Sequence, residues 1–274
     1  MEKLISIVGL TSSGKSSLGI ELAKLFNGEI VSADSRQVYR GLDWCSGKVT
    51  PEEQMEVPHH LLDVVSLGTQ FTLFDYQKMA YEEIEKILSK GKTPFLVGGT
   101  GLYSRSIVEG YNLTEDKPDE ELREELSKLS LDELKEICHQ KNIDYSGEQT
   151  VRRLIRLIEK NNSKNQNEPK YNVLQIGINW PREEIYERIK LRLNARMPNM
   201  INEIKSLLDS GANREFLIKL GLEAKYVTFY LENQFESYEQ FLKNFSKKKD
   251  ILQKDNKHGI IKKRISFGLT HMTT

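Results

Sequence analysis

Apolar positions follow two different periods along the first third of the chain. Leu4 to Val8, Glu29 to Ser32 and Thr93 to Val97 are three short runs of strand type. Lys15 to Phe26 places Leu18, Leu22 and Leu25 on one helical face, and Thr72 to Lys90 keeps the helical period until Gly91, the residue type that closes helices. Strands separated by helices predict a parallel sheet, with ligands bound at the carboxyl ends of its strands. The pattern changes after Tyr111. Residues 112–170 contain no convincing strand. Ser130-Leu131-Asp132-Glu133 is a capping box opening a helix to Gln140, and Val151, Leu154, Ile155 and Ile158 make a further helical face. Asn161 to Lys170, rich in Asn and Lys, reads as a connection. Tyr171 to Ile178 returns to a strand, and Arg182 to Leu208 reads as a long helix interrupted near Pro198. The expected architecture is an α/β core of residues 1–111 and 171–274 around a helical insertion at 112–170.

Composition narrows the class only slightly. Forty basic and forty acidic side chains cancel, so an anionic partner can be indicated only by local clusters of charge. Cys45 and Cys138 are too few for a disulfide framework or a cysteine-rich metal site, which fits a reducing compartment. The N-terminus lacks the pattern of a signal peptide, and no window reaches about 18 uninterrupted apolar residues. A cytoplasmic chain without a membrane partner is expected.

The chemistry begins where the first strand ends. Gly9-Leu10-Thr11-Ser12-Ser13-Gly14-Lys15-Ser16 fits G-x-x-x-x-G-K-[ST] between a predicted strand and a predicted helix. Glycines let backbone N–H groups wrap a phosphate, and the helix N-terminus adds a favourable dipole. Lys15 supplies a mobile positive charge, and the Ser16 hydroxyl can ligate Mg2+. The fold class expected is therefore a P-loop NTPase or kinase-like parallel sheet core with a helical insertion. An NTPase normally carries an acid at the end of a second apolar strand to organise the metal. Here Phe95-Leu96-Val97 runs into Gly98-Gly99-Thr100-Gly101, which holds no carboxylate.

A carboxylate stands at another strand end. Val31-Ser32-Ala33 leads into Asp34-Ser35-Arg36-Gln37. Asp34 is positioned either to cap a loop or to act as a general base toward a second substrate. His59 and His60 have no third ligand at suitable spacing, so they read as structural hydrogen-bonding residues. Trp44 and Trp180 read as packing or interface residues, and Cys45 has no adjacent base to activate it.

Taken together, several segments resemble the tRNA dimethylallyltransferases. They are residues 9–16, Ser32-Ala33-Asp34-Ser35-Arg36-Gln37-Val38-Tyr39, Pro58-His59-His60-Leu61-Leu62-Asp63, Val97-Gly98-Gly99-Thr100-Gly101-Leu102-Tyr103 and Arg152-Arg153-Leu154-Ile155-Arg156. Tyr186-Glu187-Arg188-Ile189 with Arg192 and Met197 continues the likeness, which covers roughly residues 1–242. It implies transfer of a dimethylallyl group from dimethylallyl diphosphate to N6 of the adenine just 3′ of the anticodon, with Mg2+ and a monomeric enzyme. It gives Asp34 the role of base, places Thr100 near the reacting adenine and sets Arg192 on the diphosphate. Asp34, Ser35, Arg36 and Gln37 match the adenine-contacting loop. Arg123 and Arg152, Arg153, Leu154, Ile155 and Arg156 match positions that touch the anticodon stem-loop.

The chain departs from that pattern in three places. Cys45-Ser46-Gly47-Lys48 replaces a common Gly-Thr-Ala-Lys, Lys219-Leu220-Gly221-Leu222-Glu223 replaces Arg-x-x-Gly-Tyr-x-Glu, and Lys262-Lys263-Arg264-Ile265-Ser266-Phe267 lacks the usual Gln and Trp. These changes bear on tRNA affinity more than on the chemical centre. Three other functions use the same residues: prenylation of a free adenine nucleotide, phosphorylation of a small molecule, and RNA binding without catalysis. The helical insertion and its arginines favour tRNA over a free nucleotide. The glycines after the Phe95 strand disfavour a kinase, and the intact P-loop with Asp34 disfavours a non-catalytic protein.

Overall fold

The computed structural model describes residues 1–113, 119–145, 150–160 and 167–245. Residues 161–166 of the expected connection and the lysine-rich tail at 246–274 lie outside the described residues. The sheet has five strands, all parallel: β1 (Lys3–Gly9), β2 (Gly28–Ser32), β3 (His59–His60), β4 (Thr93–Gly98) and β5 (Asn172–Ile178). Their order is β3-β2-β4-β1-β5. The two-residue β3 is too short to leave a hydrophobic alternation, so the sequence pattern does not predict it.

Alternation along the strands feeds two cores. α1 (Lys15–Leu25) covers one face, with Ile20 and Ala23 on Ile7, Ile30, Phe95 and Val97. α3 (Leu73–Ser89) and α4 (Gly101–Val108) cover the other, with Tyr76, Ala80, Ile84 and Ile107 against Leu4, Val31 and Leu96. Each large aliphatic side chain among them stabilises the fold by about 1.5–3 kcal/mol. A short α2 (Pro51–Glu56) precedes β3. α3 starts on a capping box: Thr72 Oγ1 accepts the Asp75 N–H at 3.2 Å, and Asp75 Oδ2 accepts the Thr72 N–H at 2.8 Å.

The helices that follow β5 build a third core beside the strand ends. In α8 (Arg182–Asp209), Leu193, Met197, Met200 and Ile204 bury one stripe. They pack with Leu217 of α9 (Arg214–Leu220), Val227 of α10 (Leu222–Leu231), and Val38 and Leu42. The expected interruption near Pro198 is not there: α8 runs through the proline. Proline removes one backbone hydrogen bond. The buried residues on both sides of it hold the two halves in one helix.

Residues 111–168 form a compact unit of their own. In that unit α5 (Glu120–Ser127), α6 (Leu131–Gln140) and α7 (Val151–Lys160) close around Leu126, Leu134, Cys138, Leu154 and Ile158. Ser130 and Glu133 form the reciprocal cap of α6. Among the described residues no helix is long and apolar enough to cross a membrane.

Candidate active site

Parallel register brings four strand ends together. Val8 pairs with Gly98, Ser32 with Val97, and Gly9 with Ile178. The loop after β1 is the P-loop, and α1 begins at Lys15 with Gly14 before it at φ 91°. A left-handed residue at that place turns the chain sharply into the helix, and no side chain caps the first turn of α1. Ser12 also has a positive φ, 65°. Lys15 Nζ donates to Leu10 O at 2.7 Å, folded back over its own loop. Burial lowers the Lys15 pKa to about 8; the negative charge of Asp34 works against this shift, and the positive charge of Arg192 adds to it.

Two residues after the β5 end hold the loop from outside. Trp180 Nε1 donates to Ser13 O at 2.8 Å, and Arg188 Nε donates to Ser12 O at 3.1 Å. The Arg188 guanidinium also lies 4.4 Å from the centre of the Trp180 ring. No local pattern in the sequence assigns either residue to the P-loop.

Asp34 follows β2. Its Oδ1 accepts the Arg36 N–H at 2.9 Å, which orients the carboxyl group. Burial raises its pKa, although Arg36 and Lys15 pull the other way. A Cβ placed on Gly99 would lie 3.8 Å from Asp34 Oδ2 and 3.9 Å from Lys15 Nζ, so a carboxyl group and an amine face one spot. Thr100 belongs to the same construction. Its N–H donates to Ala33 O at 3.1 Å, and its Oγ1 accepts the Ser35 N–H at 3.0 Å. Below them Tyr76 and Tyr103 stack with ring centres 3.9 Å apart.

Gln37 frames this site from within the fold. It accepts from Ser32 Oγ at 3.1 Å and donates to Gly47 O at 3.2 Å. Arg192 also reaches Gly47 O, at 3.3 Å. Gly47 has φ +65°, and a Cβ there would stand 2.8 Å from both Arg192 Nη2 and Arg196 Nη1. Nothing in the sequence pattern singles out Arg196. Burial lowers its pKa, and the neighbouring charge of Arg192 acts in the same direction.

Ser16 lines a small cleft in which Ser32 and Gln37 are the other side chains bearing oxygen, beside Ile30, Val49, Val97 and His59. Among the described residues no three His, Cys, Asp or Glu side chains group to hold a metal. Mg2+ is commonly held by one or two protein oxygens, with phosphate and water supplying the rest. The two histidines are accounted for by hydrogen bonds within the fold: His60 bridges Glu29 at 2.7 Å and Glu83 at 2.9 Å, and His59 Nδ1 contacts Val57 O at 2.7 Å.

The expected RNA-contacting residues of the helical unit divide. Arg152, Arg153 and Arg156 are exposed on α7. Leu154 and Ile155 are not available: at 0% and 8% exposure they are core residues of the unit. The helical period turns Leu154 and Ile155 toward the core of the unit while Arg152, Arg153 and Arg156 stay on the surface, so an RNA contact through the two apolar side chains does not fit their burial. Arg123 grips Glu159 through Nε at 3.2 Å and Nη2 at 2.8 Å, tying α5 to α7.

The model of the family described as IPP transferase matches residues 37–254. The chain belongs to the IPP transferase family. The matched span starts after the P-loop and Asp34, so the geometry of those residues is a separate observation on this family member. It is 41% identical to tRNA dimethylallyltransferase 2 of Shewanella sediminis over 248 residues, 87% of this chain and 82% of the relative. It is 40% identical to tRNA dimethylallyltransferase of Leuconostoc mesenteroides, over 85% of this chain and 82% of that one. The full-length tRNA isopentenylpyrophosphate transferase of Bacillus halodurans superposes with TM-score 0.70 at 32% identity, over 93% of this chain and 85% of the other. A eukaryotic dimethylallyltransferase acting on tRNA shares the fold at TM-score 0.77 and 22% identity, over 93% of this chain and 69% of its own.

Proposed function

We propose that this family member is a tRNA dimethylallyltransferase. It moves a dimethylallyl group from dimethylallyl diphosphate to N6 of the adenine 3′ to the anticodon and releases diphosphate. The observation that carries the reading is the shared aim of Asp34 and Lys15 above Gly99. A base and a leaving-group cation at one spot suit a displacement in which a proton leaves the nucleophile as negative charge leaves with the diphosphate.

The P-loop amides and Lys15 hold the diphosphate, and Arg192 adds charge on its other side. The adenine N6 attacks the allylic C1, the C1–O bond breaks, and Asp34 takes the proton from the attacking nitrogen. Burial suits Asp34 to this task, because a raised pKa makes its carboxylate a better proton acceptor. The Thr100 side chain fixes Ser35, and with it the loop that faces the adenine. When bound, Mg2+ supplies further positive charge to the diphosphate, with Ser16 as its protein ligand. Arg152, Arg153 and Arg156 provide an exposed cationic face for an RNA backbone. The reading includes a cytoplasmic monomer.

The test is incubation of the protein with dimethylallyl diphosphate, Mg2+ and unmodified tRNA, followed by nucleoside mass spectrometry. Prenylated adenosine next to the anticodon is expected. Product only when AMP replaces tRNA would assign the chain to free nucleotides, and phosphate transfer from labelled ATP would make it a kinase.

A further inference from the structure

Three carbonyls of the P-loop are tied to side chains. Leu10 O accepts from Lys15 Nζ, Ser12 O from Arg188 Nε and Ser13 O from Trp180 Nε1. The last two partners lie 176 and 167 residues away, in α8 and in the segment before it. They also bind each other, since the Arg188 guanidinium rests on the Trp180 ring.

We propose that Trp180 and Arg188 are positioning residues for the diphosphate, acting through the P-loop backbone. A trans peptide points its C=O and N–H in opposite directions. Holding Ser13 O outward therefore aims the Gly14 N–H inward, toward the anion. Holding Ser12 O steadies a serine at φ 65°, a conformation that is uncommon for non-glycine residues. Arg188 is engaged in this brace through a carbonyl and an aromatic face, so its charge reaches the diphosphate only indirectly. Arg192 lies four residues later on the same helix, hence on the same face one turn away. One rigid element thus sets both the shape of the loop and the place of the arginine beyond it. A ligand that shifts the loop must also shift the surroundings of the Trp180 indole.

This inference rests on the P-loop holding a diphosphate, and inorganic pyrophosphate with Mg2+ is the probe. Trp180→Phe keeps a ring under Arg188 and removes only the indole N–H. It should weaken pyrophosphate binding and raise the KM for dimethylallyl diphosphate about tenfold, with the KM for tRNA and the thermal midpoint unchanged. Arg188→Lys should recover part of the donor affinity that Arg188→Ala removes. In a Trp44→Phe background, where Trp180 is the one remaining indole, pyrophosphate should change the intrinsic fluorescence. Wild-type pyrophosphate affinity in Trp180→Phe overturns the brace, as does an equal loss of donor and tRNA affinity. Failure of the wild-type protein to bind pyrophosphate by calorimetry overturns the P-loop reading beneath it.

Discussion

Asp34 Oδ2 and Lys15 Nζ approach the same point above Gly99 to 3.8 and 3.9 Å, from loops that follow different strands. The two groups have opposite charges and opposite needs. In the proposed reaction the aspartate must lose its proton before it can accept one, and the lysine must keep its proton to hold an anion.

Asp34→Asn keeps the shape of the side chain and removes the carboxylate proposed as the base. kcat should fall by roughly 10²–10⁴, while the KM for dimethylallyl diphosphate changes little. In the wild-type enzyme, kcat/KM should decline as pH falls through the raised pKa of Asp34. A variant turning over at near-normal rate would move proton transfer to another group.

Lys15 gives the opposite limb. Burial brings its pKa to about 8 in the free protein, so below that pH it is charged and ready for an anion. Above it, donor binding has to take up a proton, and affinity should weaken by up to about tenfold per pH unit. Calorimetry at a pH about half a unit above that value, in two buffers of different ionisation enthalpy, measures the uptake. Affinity that stays flat across the pKa would mean that this lysine remains protonated throughout.

Gly47→Ala should damage the leaving-group side without touching it directly. The added methyl would meet both guanidinium groups at 2.8 Å, on a backbone at φ +65°. Arg192 would have to move, raising the KM for the donor, and stability should fall by about 1–3 kcal/mol. Donor kinetics and urea denaturation check the two effects. Arg192→Lys should remain impaired, because it keeps the charge without the planar fork; full activity in that variant would reduce Arg192 to a general cation.

Arg152 and Arg156 stand four residues apart on α7 and are exposed, so they share a face. Replacing both with Gln should raise the KM for tRNA and leave the donor KM unchanged. The slope of log K against log salt should fall by about 0.7 for each phosphate that the variant no longer neutralises. An unaltered slope would place RNA elsewhere.

At the other end of β2, Glu29 tests stability alone. Burial raises its pKa, but hydrogen bonds from Lys92, His60 and Lys90 outweigh that and bring it to about 2. A carboxyl group lowered in the folded state stabilises above its ordinary value of 4.5, and the benefit is lost as pH falls from there toward 2. With Lys90 half exposed, the contribution is about 2 kcal/mol. Chemical denaturation of Glu29→Gln at neutral pH should show that loss, with turnover per folded molecule unchanged, and the difference from wild type should shrink as pH falls below 4.5.

Rules that join residues a few positions apart reach a definite part of this fold. The P-loop, the cap at Ser130 and the period of α3 obey such rules, and the structure holds all three. Pro198 shows the limit, since packing of Met197 and Met200 overrides a breaker whose cost is local. Leu154 and Ile155 share a motif with the flanking arginines, yet the helical period turns them inward, and the period prevails. Arg188 belongs to a segment that resembles the family, but no sequence rule ties it or Trp180 to the P-loop, because their partners lie more than 160 residues away.

Gly98 ends β4 where a nucleotide-hydrolysing protein built on such a sheet carries its acid. A Cβ there would collide with the carbonyl of Ala33, the same carbonyl that receives the Thr100 N–H. No side chain fits at that position unless β2 and β4 part and the aspartate loop moves with them. An attempt to redesign this centre for ATP hydrolysis by adding the missing carboxylate would therefore dismantle the site it meant to convert. The glycine is a lock on reaction class, set by the close approach of two main chains.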